Sequence, residues 1–161
     1  MKSIICLLLV LCVQLAAQSR SSKMNPAGET AVSASLGKVK LHAVFNTSIV
    51  KINTDDKIPQ FPQCTYSRFP CVVVQQLRLS VNDVRIFVPR SAYADLGDIQ
   101  SAEFSNKAGR FILTIKGGDA SESYIAQIVF SKRLQERRLY SAEDPIHPLE
   151  VTHYYDVSSI H

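Results

Sequence analysis

The chain has 161 residues, 46% of them hydrophobic and 20% charged, with a formal net charge of +4 and a mean hydropathy of +0.03. These values exclude a disordered or collagen-like chain, and six glycines and seven prolines exclude a low-complexity one. Without the N-terminal segment described next, roughly 142 residues remain, enough to bury about two thirds of the unfolded surface around one core.

Lys2 precedes an uncharged apolar run over residues 4–13, and the small residues Ala16, Ala17 and Ser19 follow it. That order reads as a secretory signal over residues 1–19. A run of about ten residues is half of what a spanning helix needs, so no stable membrane insertion is expected. The implied localisation is secreted or periplasmic. Residues 20–36 are small and polar, with Pro26 and Gly28, and read as a flexible leader to a single β-rich domain over 37–161.

Residues 38–45 and 47–52 carry β-branched and apolar side chains around a break at Asn46, which predicts a pair of strands or one bent strand. Residues 54–62 read as a loop. Cys64 and Cys71 have six residues between them, and in an exported protein that spacing predicts a disulfide closing a short loop. Leu77, Leu79 and Val81 share a face, Asn82 and Asp83 make a two-residue turn, and Val84, Ile86 and Val88 return on the matching face. Pro89 ends that strand. Ser91 is placed to cap a short helical turn over 91–96, which Gly97 closes.

Ala102 and Phe104 face Phe111 and Leu113 across a turn at 106–109, and Gly117, Gly118 and Asp119 break the next connection. Residues 124–130 carry apolar side chains on both faces, which predicts a central strand. Residues 134–140 alternate basic and apolar side chains like a half-exposed neighbour, and residues 150–157 add a last strand. Helical periodicity is nearly absent. The predicted class is therefore mainly β: one antiparallel sandwich or barrel-like meander of about seven to eight strands with a single short helical turn.

The sequence holds no G-x-S-x-G elbow, no H-E-x-x-H, no G-x-x-x-x-G-K and no G-x-G-x-x-G. His42, His147, His153 and His161 lack the spacing that puts two imidazoles on one face, and Asp95 and Asp98 read as a turn with solvated carboxylates rather than a calcium loop. The expectation is a protein without catalytic residues, metal or cofactor. Lys132, Arg133, Arg137 and Arg138 form the densest basic patch. It is too narrow for nucleic acid; it reads first as a solvated face, and as an interface it suits an acidic protein partner.

The predicted ring from Cys64 to Cys71 holds Thr65, Tyr66, Ser67, Arg68, Phe69 and Pro70. Aromatic and arginine side chains on a loop tied at both ends lose little entropy on docking, so Tyr66, Arg68 and Phe69 are candidate contact residues. The stretch resembles the inhibitory loop of Bowman-Birk protease inhibitors, in which a cysteine, a threonine, a specificity residue and a serine precede proline inside a small ring. The resemblance implies that Tyr66 enters a protease specificity pocket and that Ser67 follows the scissile bond. The ring is one residue shorter than that family's, and Phe69 stands at its cis-proline position. The function expected from these features is a non-enzymatic protein-binding module, an inhibitor or immunity-type protein that covers its partner's surface. The alternatives are that protease inhibitor and a carrier of a small apolar ligand inside a barrel.

Overall fold

The computed structural model describes residues 21–51, 64 and 70–155. The predicted signal, the ring residues Tyr66, Arg68 and Phe69 and the chain after Tyr155 lie outside the described residues. Among the described residues ten strands run in chain order: β1 (Ser22–Lys23), β2 (Gly28–Leu36), β3 (Val39–Val50), β4 (Cys71–Val81), β5 (Val84–Ile86), β6 (Ile99–Lys107), β7 (Arg110–Gly117), β8 (Tyr124–Phe130), β9 (Leu134–Ser141) and β10 (Glu150–His153). They form two antiparallel sheets, one of six strands in the order β1-β6-β7-β8-β9-β10 and one of four in the order β2-β3-β4-β5. A single turn of 3-10 helix at Arg90–Ala92 lies in the connection from the four-stranded to the six-stranded sheet, and another at Ala120–Glu122 lies between β7 and β8.

Residues 28–36 correct the expected flexible leader: they pair with β3 along their whole length, from Gly28↔Thr47 to Leu36↔Val39. The pattern was hidden because the outward residues Ala31, Ser33 and Ser35 are small, so the inward set of Thr30, Val32, Ala34 and Leu36 stands out only weakly. Val32 is 1% exposed and Met24, ahead of β2, is 6% exposed, so both side chains belong to the core. These added strands raise the count above the predicted seven to eight.

Local chemistry explains the hairpins. Asn82 and Asp83 take φ of 47° and 66°, the left-handed pair that a two-residue turn needs to match strand twist, and they close Val81↔Val84 and Leu79↔Ile86 as expected. Asn82 also reaches β3: its Oδ1 accepts the Lys40 N–H at 2.8 Å and its own N–H donates to the Lys40 carbonyl at 2.8 Å. The second hairpin turns at Ala108 and Gly109, with φ of 51° and 76°, and sets Phe104 opposite Leu113. Phe111 lies opposite Asn106, and Ala102 opposite Ile115. The expected cap by Ser91 does not form; Pro89 precedes the 3-10 turn and no side chain caps it.

Register shifts in the ladders decide which side chains enter the core, one of them in β6 between Ile99 and Ser101. Residues 39–50 are one strand whose pairing with β4 slips between Asn46 and Thr47, so that Gln75 has no partner. Inward positions on β4 change from Leu77 and Leu79 to Val74 across that slip, because one extra residue reverses the alternation. Another slip between Val129 and Phe130 does the same to β9. Between the sheets, Phe45, Phe104, Leu113, Ile128 and Phe130 are buried. The rings of Phe104 and Phe130 meet edge to face at 6.2 Å, and Phe111 tilts against Phe130 at 5.8 Å. The β8 strand is central, as its doubly apolar pattern predicted. Among the described residues no helix is long and apolar enough to cross a membrane.

Candidate interaction surface

The four residues of the basic patch do not act together. Because the slip at Phe130 reverses β9, Arg137 is opposite Ile128 on the inner face and is 2% exposed. Its two terminal nitrogens are held by carboxylates, one by Asp95 in the connection between the sheets and the other by Glu150 of β10 at 2.9 Å. Both carboxylates are about half exposed, so solvent stabilises the acids while the guanidinium is buried. Arg137 thus pins the connecting segment and an edge strand to β9, and it is not a surface contact. Arg138 is half-buried on the outer face and donates through Nε to Glu136, a bond that holds its guanidinium pKa above the usual arginine value. Only Lys132 and Arg133, in the β8–β9 turn, are exposed.

The same connection binds Tyr124. Its hydroxyl donates to the Gly97 carbonyl at 2.8 Å. Gly117 is required there, since a Cβ at that position would lie 2.4 Å from the Tyr124 hydroxyl oxygen. Burial pushes the Tyr124 phenol well above its usual pKa, with the negative charges of Asp95 and Asp98 adding to the effect. The carboxylates once considered for calcium are occupied: Asp95 holds Arg137, and Asp98 Oδ1 accepts the Val72 N–H at 2.9 Å. His147 faces Asp144 at 3.0 Å and His153 faces Glu136 at 3.5 Å. The two imidazoles therefore stand against different carboxylates.

A disulfide joins Cys64 to Cys71 with Cα atoms 5.8 Å apart. Cys71 begins β4 and is fully buried, so the core fixes one end of the ring.

The surface that sequence reasoning missed lies along the edge strand β5 and the segment after it. Two open grooves, of about 490 and 320 Å³, lie on either side of this segment and share Arg85, Ile86, Phe87 and Pro89. The first is completed by Arg90 and Tyr93, and the second by Lys132, Arg133, Tyr154 and Tyr155, where β5 approaches the β8–β9 turn. Among the described residues, none that lines either groove is acidic. Phe87 is 82% exposed, Tyr155 85% and Val84 69%. The alternation that predicted the hairpin put Val84, Ile86 and Val88 inward, but β5 ends at Ile86 and only Ile86 of the three is fully buried. The usable signal was Phe87, a large apolar residue on the polar phase of the pattern.

Compared with known proteins, the chain matches no family model, no curated protein and no solved structure.

Proposed function

We propose that the protein is an exported, non-enzymatic protein-binding module of inhibitor or immunity type, and that it docks through the open edge of its sandwich around β5. The observation that carries this reading is the pairing of the bare aromatic side chains Phe87 and Tyr155 with the basic side chains of Arg85, Arg90 and Lys132 along one edge. Aromatic and arginine side chains are the residues that most often dominate interface energies. The grooves are open and hold a few partner side chains each; they are not deep enough to enclose a ligand. Export rests on the signal-like residues 1–19 and agrees with the Cys64–Cys71 disulfide. A ligand carrier has less support, since the rings of Phe104, Phe111 and Phe130 occupy the space between the sheets. The ring residues Tyr66, Arg68 and Phe69 remain candidates for a second contact.

The test places a photo-crosslinking residue at Phe87 and, in a separate sample, at Ser35 on the outer face of β2. Irradiation in the native exported fraction should give one adduct of defined mass from position 87 and none from position 35. With that partner purified, Phe87→Ala should weaken binding at least about tenfold, or about 1.4 kcal/mol. Equal labelling from both positions, or a partner insensitive to Phe87→Ala, would refute the assignment.

A further inference from the structure

We infer that the β5 edge takes up an extended, acidic segment of its partner as an added antiparallel or parallel strand. This rests on the docking surface proposed above and states what occupies it. The two-residue turn makes Val81↔Val84 a hydrogen-bonded pair, and the ladder alternation then makes Leu79↔Ile86 another. The Ser80↔Arg85 pair between them is not hydrogen-bonded, so the N–H and C=O of Arg85 point away from β4 along the sheet edge. No described strand lies beyond β5 in its sheet. An extended peptide satisfies such an edge through its main chain, and side-chain pockets then set its specificity.

The charge around this edge selects the peptide. Arg85 and Arg90 line one groove, Arg85 and Lys132 line the other, and none of the described residues lining either is acidic. A strand lying on β5 projects alternate side chains towards the two grooves. Carboxylates at those positions would meet guanidinium and ammonium groups, whereas basic side chains would meet like charge. Three residues of β5 provide few main-chain bonds. Side-chain charge must therefore supply much of the affinity, which makes binding steeply salt-dependent.

The probe is an acetylated and amidated heptapeptide alternating glutamate with valine, added to the full-length secreted protein labelled with nitrogen-15. Saturable amide shifts should centre on residues 84–88, and the Arg85 amide should exchange more slowly with solvent. The lysine-valine counterpart, and a glutamate-valine peptide N-methylated at alternate amides, should each bind at least about tenfold more weakly. Arg85→Glu should abolish the shifts without moving the melting temperature, since Arg85 is exposed. Shifts that survive N-methylation would overturn strand addition, and equal binding by the lysine peptide would overturn the acidic partner. Equal or tighter binding of a ten-nucleotide oligothymidylate at the same amides would assign the edge to nucleic acid instead. If the crosslinking at Phe87 succeeds and the acidic peptide fails, the docking surface stands and this account of its occupant falls.

Discussion

Arg137 shows how one buried charge is tolerated. Its desolvation is offset by two carboxylates that keep contact with water, an arrangement less costly than burying all three groups. Arg137→Ala should therefore lower stability by about 1.5 to 3 kcal/mol, the range for hydrogen bonds to charged groups, rather than by more. Arg137→Lys should recover little of it, because one ammonium cannot bridge two carboxylates as a planar fork does. Urea denaturation of the three proteins measures this. Tyr124 supplies a pH prediction. Its folded pKa is raised, so its neutral form stabilises the fold in full below the unfolded value near about 10, and that contribution fades as pH rises above it. Stability measured from pH 8 to 11 should fall at the alkaline end. Tyr124→Phe should cost about 1 kcal/mol at neutral pH through loss of the bond to Gly97, and should flatten the alkaline decline.

At the scale of elements, the strand and turn assignments separate by mutation. Phe130→Ala removes a ring packed against Phe104 and Phe111 and should cost about 3 to 5 kcal/mol. Arg78→Ala loses an exposed ion pair with Glu29 and should cost under about 1 kcal/mol. Similar melting shifts for the two would contradict the registers of β4 and β8. Ala108 holds a positive φ that costs an L-residue about 1 to 2 kcal/mol, while glycine adds about 0.5 to 1 kcal/mol of unfolded-state entropy. Ala108→Gly should therefore stabilise the β6–β7 hairpin by about 0.5 kcal/mol, read as a rise in melting temperature. The first hairpin was legible in full because its information is local: a two-residue turn and matched apolar positions lie within about ten residues. The second was legible only as a hairpin, since the turn expected at 106–109 sits at Ala108 and Gly109 and leaves Phe111 opposite Asn106. The course of β9 was not legible. Leu134, Glu136, Arg138 and Tyr140 share one phase, and only the slip against β8 turns Arg137 and Leu139 inward.

For the molecule as a whole, stability is shared between a covalent tie and the first strands. The Cys64–Cys71 bond closes a ring of eight residues, worth about 2.5 kcal/mol in the chain-entropy description. Alkylation without prior reduction should detect neither of these two thiols, and reduction should lower stability by about that amount. Removing residues 22–36 should cost far more, because it strips β2 from β3 and uncovers Leu41, Ala43 and Phe45. Circular dichroism and melting of that truncation are the check; a cooperative transition near that of the full protein would show that the domain begins at residue 37 after all.

The sequence by itself determined the class, the antiparallel hairpins, the central position of β8 and the cysteine pairing. Each follows from alternation, turn chemistry or spacing over a short stretch of chain. The tertiary structure alone decided that residues 28–36 are a core strand, that Arg137 is inside, and that Phe87 stands bare beside Arg85 and Lys132. These outcomes depend on bulges and on packing between elements, some of them far apart in sequence, as Asp95 and Arg137 are at a separation of 42. A period-two pattern cannot register them. One inserted residue reverses the phase of every side chain beyond it, and only the partner strand shows that the insertion has occurred.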